Sequence, residues 1–257
     1  MKLLKVLAIV ALLLVVLVVV MRVLRHQADA AVPVRGGVMR VRNLFTEIYG
    51  VRAGSKLVLF DAGIDTDEHA MDAITRGLGG TRADVSDVFL THGHFDHVAG
   101  STTCPNATIH VGQADVDLLA GRAPMKRPAA KLFKRILPVG PIEAQAAIPG
   151  LQISLLDAGK ELVAIPVPGH TMGSYVYFYE GVLIAGDSIN IDGDKLVFAM
   201  PAFSDDPAAN RRAIAGLRAA LAGRKVEIVC TGHQACTPDG RGGAMLDELI
   251  ARAEKPE

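Results

Sequence analysis

The sequence predicts an α/β domain preceded by a single hydrophobic helix, and three observations carry that class. Short apolar segments of strand length recur along the 257 residues and alternate with stretches of helical length. Four of these segments, residues 88–90, 162–167, 182–184 and 226–230, are each followed within a few positions by a glycine-containing exit and a histidine or aspartate. Residues 6–21 form an uninterrupted apolar run of 16 with no counterpart later in the chain.

That run is flanked by Lys2 and Lys5 on one side and Arg22 and Arg25 on the other. With its apolar neighbours it is long enough to span a bilayer, the flanking cations snorkelling to the surface. It exceeds the usual signal-peptide core, which favours a retained anchor, although Ala28-Asp29-Ala30 has the small-x-small pattern of a cleavage site. The expected organisation is therefore an anchor or signal with a short linker over residues 1–30 and a catalytic domain over 31–257. Three amino-terminal charges against two after the run place the amino terminus in the cytoplasm and the domain outside it. If the run were cleaved near Ala30, the protein would instead be secreted or periplasmic. The 27 basic and 27 acidic residues balance, and nothing in their distribution points to nucleic acid.

Beyond the linker at 26–35, residues 38–60 alternate in strand fashion around a turn at Ala53-Gly54-Ser55, which predicts a hairpin. Residues 65–78 predict a helix closed by Gly79-Gly80, residues 83–90 a strand, 98–101 the start of a helix, and 108–111 another strand. Between Gly121 and Leu137 the chain turns basic: Arg122, Lys126, Arg127, Lys131, Lys134 and Arg135 fall within 14 positions. This reads as a solvated helix face, as a clamp for an anionic substrate, or as a contact with acidic headgroups. Strands follow near 151–156, 161–167, 175–179 and 181–184, then a loop over 190–205. Asp206 or Ser204 caps a helix over 207–221 with Pro207 at its start. A strand at 225–230 and a helix at about 243–253 complete the order. Of the three cysteines, Cys104, Cys230 and Cys236, an exported domain could bond Cys230 to Cys236.

The densest chemistry lies at residues 91–97, Thr-His-Gly-His-Phe-Asp-His. In an extended or turning segment, side chains at i and i+2 point the same way, so His92 and His94 can share one metal ion. Asp96 and His97 are displaced enough to serve a second, and Gly93 leaves the backbone between the first two free in φ and ψ. Imidazole with carboxylate suits zinc, with iron or manganese as alternatives. His170, Asp187 and His233, each leaving a strand, are the candidates to complete the site.

The pattern His-x-His-x-Asp-His, with the later Gly-His-Thr, Gly-Asp and Gly-His, resembles the metallo-β-lactamase-fold hydrolases over roughly residues 34–240. The resemblance implies a four-layer αββα sandwich. It implies that His92, His94 and His170 hold one metal ion, that Asp96, His97 and His233 hold a second, and that Asp187 bridges them. Asp61, in Leu59-Phe60-Asp61-Ala62-Gly63, matches the family's aspartate that supports the site from behind, and Asp96 and Asp61 are the expected catalytic carboxylates. The expected chemistry is hydrolysis of a thioester, lactone, ester or amide of a small, anionic molecule by a hydroxide bridged between two divalent ions. The bridging Asp187 looks more like the glyoxalase II and lactonase branches than like the β-lactamases. Only 24 residues follow His233, so the helical carboxy-terminal domain with which glyoxalase II grips glutathione has no counterpart, which puts glutathione specificity in doubt. An iron-dependent redox enzyme of the same fold, similar to persulfide dioxygenase, and a β-lactamase are the alternatives.

Overall fold

A computed structural model describes residues 2–157 and 159–255. Helix α1 (Lys2–Leu24) is long and apolar enough to cross a membrane; its stretch from Lys5 to Leu24 has a mean hydropathy of 3.2 and is largely exposed, with Met21 near its end partly buried against the domain. The linker behind it is docked rather than free. Asn43 Nδ2 donates to the carbonyls of Arg25 and Gln27, and His26 Nδ1 lies 2.7 Å from Asp65 Oδ1.

Seven strands form the first sheet in sequential order: β1 (Val32–Pro33), β2 (Met39–Asn43), β3 (Thr46–Ala53), β4 (Lys56–Phe60), β5 (Val85–Phe89), β6 (Thr108–Gly112) and β7 (Ala146–Ile148). Its first half is antiparallel, so residues 38–60 hold a three-stranded meander around the predicted turn; from β4 onward pairing is parallel. The second sheet contains β8 (Gln152–Asp157), β9 (Lys160–Pro166), β10 (Tyr175–Tyr179), β11 (Val182–Ile184) and β14 (Ile228–Cys230), in the order β14-β11-β10-β9-β8. Residues 190–205, expected as a loop, instead contain the hairpin β12 (Ile189–Asp192) and β13 (Lys195–Phe198), joined by the two residues Gly193-Asp194 with Gly193 at φ +59°.

Strand alternation builds the layers. Val58 and Phe60 of β4 point between the sheets with Tyr49, Tyr175, Tyr177 and Tyr179, while Leu57 and Leu59 point outward against α2 (His69–Gly77) with Met71 and Ile74. On the other sheet Leu162 and Ala164 face inward, and Val163 and Ile165 face α6 (Pro207–Ala220) and α7 (Gly242–Ala253). Three separate apolar cores therefore lie between four layers, and strands buried on both faces read as continuous apolar runs. This is the αββα sandwich.

Several boundaries move for local reasons. Helix α2 begins at His69, not at residue 65, because the Asp65 carboxylate accepts from the N–H groups of Asp67 and Ala70 and holds a turn ahead of it. Residues 99–103 form a 3₁₀ turn rather than the start of an α-helix. Helix α6 starts as expected, with the Asp206 carboxylate accepting from Ala209 N–H. The basic segment becomes α5 (Pro128–Ile136) after α4 (Val116–Leu119).

Candidate metal centre

His92, His94, Asp96, His97, His170, Asp187 and His233 converge at the ends of strands from both sheets. Three groups of side chains bring ligand atoms within 4.8 Å of one another: His92, His94 and His170; His92, His97 and Asp187; Asp96, His97 and His233. The extended geometry expected for 91–97 holds only as far as His94. Asp96 and His97 lie on a single helical turn, α3 (Phe95–Val98), which swings them away from His92 and His94 towards His233. Gly93 does not need its conformational freedom, since its φ is not positive. A Cβ there would crowd Leu118 and Asp115 at 3.2 and 3.3 Å, and its N–H donates to Asp115 Oδ2.

Proton bookkeeping shows what the site is set to receive. The Thr91 hydroxyl gives its proton to Asp61 Oδ2 at 2.8 Å, so at 3.0 Å from His92 Nδ1 it can only accept. His92 Nδ1 therefore carries the hydrogen, and its Nε2 presents a lone pair that is buried without a partner. Asp61 Oδ2 likewise accepts from His97 Nδ1 at 2.8 Å, and His97 Nε2 is also buried without a hydrogen bond. The Phe45 carbonyl accepts from His233 Nδ1 at 2.8 Å, which leaves His233 Nε2 facing Asp187 Oδ2 at 3.0 Å. Ser204 commits its proton to the Met200 carbonyl and so accepts from His170 Nδ1, whose Nε2 points at His94 Nδ1, 2.9 Å away. His170 Nε2 against His94 Nδ1, and His233 Nε2 against Asp187 Oδ2, are contacts that a proton or a cation must bridge, since opposed lone pairs would repel. Buried polar atoms left unpaired are rare in folded proteins; here His92 Nε2, His97 Nε2 and Asp187 Oδ1 are three together. The donor set fits divalent metal ions.

Charge divides the site. Burial lowers the pKa of His92, and those of His94 and His170 to about 4 and about 3, so these three imidazoles are neutral and available as ligands. Burial also opposes charge on His97 and His233. Asp187 and Asp96, with Asp61 beside His97, outweigh it and raise both, His233 to about 9. Burial works against the charge of Asp187 too, yet His233 and His97 together hold its carboxyl well below the usual range. One half is a neutral histidine cluster, and the other is rich in carboxylate and attracts positive charge.

Asp61 sits at φ +60°, a left-handed conformation that aspartate tolerates better than most residues. It is fixed by three donors: Thr91 N–H, Thr91 Oγ and His97 Nδ1. Sequence reasoning missed Asp115, which is buried and accepts from Gly93 N–H, Gly173 N–H and the Thr171 hydroxyl. It thereby ties the loop carrying His92 and His94 to the loop carrying His170. Thr91, Ser204 and the Phe45 carbonyl were missed as well. Cys236 is bonded to Cys230 and closes the loop that carries His233. Above the ligands opens a cavity of about 340 Å³, lined by His94, Asp96, His170, Asp187 and His233 at its floor and by mainly apolar side chains at its walls.

A family model described as the metallo-beta-lactamase superfamily matches residues 42–233. The human metallo-beta-lactamase domain-containing protein 1 is 28% identical over 212 residues, covering 77% of this chain and 69% of that protein. The probable metallo-hydrolase YflN of Bacillus subtilis is 26% identical over 234 residues, covering 80% of this chain and 85% of its own. A solved B3 metallo-beta-lactamase with an active-site glutamic acid superposes with a TM-score of 0.67 at 17% identity, covering 91% of this chain and 92% of the other.

Proposed function

The chain belongs to the metallo-beta-lactamase superfamily, and from that premise we propose a hydrolase that uses two divalent ions, zinc in the first instance, to cleave a thioester, lactone, ester or amide. His92, His94 and His170 would hold one ion and Asp96, His97 and His233 the other. The observation that carries the two-ion reading is the position of Asp187: its oxygens lie 3.0 Å from His233 Nε2, 3.4 Å from His97 Nε2 and 3.6 Å from His170 Nε2, so one carboxylate reaches histidines of both groups. When bound, such ions polarise a carbonyl and make hydroxide available from water near neutral pH.

The chain's own residues do the rest. Asp61 and Thr91 fix the tautomers and ring planes of His92 and His97, and Asp115 holds the two ligand loops in register. Asp96, which also lines the cavity, is the carboxylate placed to take the proton that an attacking water gives up. Apolar walls keep bulk water away from the floor, which strengthens the pull on negative charge developing at a substrate oxygen.

The amino-terminal helix is proposed as a retained anchor. Arg22 Nε donates to the Ile136 carbonyl, Arg25 to Pro138, and Ala28 bridges to Asn43, so the segment around the small-x-small site is bound to the domain. The Cys230–Cys236 bond supports an oxidising, non-cytoplasmic location for the domain. Intact mass of the mature protein should show the original terminus; a new terminus at Ala31 would defeat the anchor.

Metal analysis joined to a hydrolysis screen over thioesters, lactones, β-lactams and phosphodiesters tests the central reading. About two ions per chain with turnover of an acyl substrate is the expected result. A firm value of one ion with activity retained would defeat the dinuclear claim, and bound iron with no hydrolysis would point to redox chemistry.

A further inference from the structure

The cavity over the metal ligands is walled by the membrane helix itself. Met21, the last residue of the apolar run, lines it together with Phe45, Phe133, Met200 and Phe203. From Leu3 to Met21 the helix rises about 28 Å at 1.5 Å per residue, close to the roughly 30 Å of a bilayer's hydrocarbon core. When α1 spans the membrane, Met21 therefore stands at the level where acyl chains meet headgroups.

Arg22 and Arg25 hold the end of α5 at that same level through the carbonyls of Ile136 and Pro138. In the basic segment, Arg122, Lys126 and Arg127 are occupied internally: Arg122 with Asp117 and Glu143, Lys126 with Asp205, and Arg127 with the carbonyls of Ser204 and Asp205. Lys131, Lys134 and Arg135 of α5 have no ion pair among the described residues, and Leu132 between them is 57% exposed. A short helix with free cations beside an exposed leucine, next to a membrane helix, has the composition of an interfacial element facing anionic lipid.

We propose that the substrate is a membrane-resident amphiphile carrying a long acyl chain, which enters sideways from the leaflet between Met21 of α1 and Phe133 of α5, with its acyl bond at the metal ligands. Apart from Asn190 and Gln234 the walls above the candidate ligands are apolar, a lining that suits an acyl chain. In the reaction the oxygen of water bonds to the acyl carbon, the bond from that carbon to the leaving heteroatom breaks with its electron pair going to the heteroatom, the leaving group takes one of the water's protons, and the other is released to solvent. The products are a fatty carboxylate and the freed headgroup, and no oxidant or reductant is needed. The inference rests on the hydrolase and anchor readings above.

Two measurements on the metal-loaded full chain in phosphatidylcholine vesicles containing phosphatidylglycerol separate it from those readings. Palmitate bearing a diazirine, photolysed in the vesicles, should leave adducts on residues 128–136 and at Met200. In parallel, kcat/KM for a dodecanoyl thioester should exceed that for the acetyl thioester by about tenfold or more, which about two buried methylenes would already supply. Met200→Asp, a change at an exposed position, should cut that ratio at least severalfold, and Phe133→Ser should do the same. Adducts confined to residues 5–20 together with a flat chain-length profile would overturn the amphiphile and leave the hydrolase standing. Adducts on α5 with no turnover at any chain length would overturn the acyl hydrolysis and leave only a lipid-facing cavity.

Discussion

Two clusters of histidine and aspartate stand among the described residues, and by residue type either could hold a metal ion. One is the seven-residue centre; the other is His26, Asp65, Asp67 and His69, where the linker behind α1 meets the start of α2. In the second cluster every Asp65 oxygen is already engaged: Oδ1 with His26 Nδ1 and Asp67 N–H, Oδ2 with Ala70 N–H. The side chains of Asp67 and His69 are 57% and 64% exposed. In the centre the rear nitrogens of His92, His97, His170 and His233 are committed to protein acceptors, while His92 Nε2, His97 Nε2 and Asp187 Oδ1 are left buried without a hydrogen bond. Residue type makes a cluster capable of coordination. Unsatisfied, desolvated lone pairs make it a site, and satisfied ones make it a clasp.

That contrast can be broken most easily at Asp187. Asp187→Ala should reduce metal content to less than one ion per chain and lower turnover by more than about 100-fold, beyond the usual effect of an orienting partner. Retention of both ions in that variant would remove the shared-carboxylate argument. Asp61→Asn should cost roughly 10- to 100-fold in metal affinity or activity, because an amide cannot accept from all three donors. Unchanged kinetics and affinity would reduce Asp61 to a turn residue.

Asp115→Ala would strand the Gly93 and Gly173 N–H groups and the Thr171 hydroxyl in a buried place. It should destabilise the fold by about 1–3 kcal/mol, readable by thermal denaturation. The double variant His26→Ala, His69→Ala is the converse test: metal stoichiometry by mass spectrometry should not change, and stability should fall by about 1 kcal/mol or less. An ion lost in that variant would mean that the outer cluster is a site after all.

The mildest effect is expected at a third histidine–aspartate pair, His110 and Asp87, 2.7 Å apart on neighbouring strands. The hydrogen bond from His110 holds the Asp87 carboxyl below its ordinary range. A depressed carboxylate contributes stability above its unfolded pKa and loses that contribution as pH falls through the folded value. Asp87→Asn should therefore flatten the acid limb of the stability curve slightly and leave the neutral region within about 1 kcal/mol.

The candidate ligands that the structure brings together were legible because their signals are local. His92 to His97 lie within six positions, and His170, Asp187 and His233 each leave a strand behind a glycine. What orients them was not legible, because it acts across the chain. The acceptor for His233 is a backbone carbonyl 188 residues away, and Asp115 joins loops on either side of it without any spacing pattern. The hairpin at 189–198 was a different kind of miss. Gly193-Asp194 between two strand-length segments is an ordinary two-residue turn signal, obscured by the polar composition around it. The three cores could not be counted from the sequence, since continuous apolar strands announce burial on both faces without saying against what.

Most of the apolar wall of the cavity comes from parts of the chain that carry no candidate ligand: Met21 of α1, the turn before β3 at Phe45, helix α5, and the segment after β13 with Met200 and Phe203; Phe95, Asn190 and Gln234 adjoin the ligand positions. The ligands leave the strand ends of the two sheets. Recognition and chemistry are thus written largely in different stretches of sequence: α5 can be exchanged without moving a ligand-bearing strand end, whereas the 199–205 segment also holds His170 through Ser204 and the Asp205 N–H. A lineage built on this plan is free to change what it grasps while keeping the means by which it cuts.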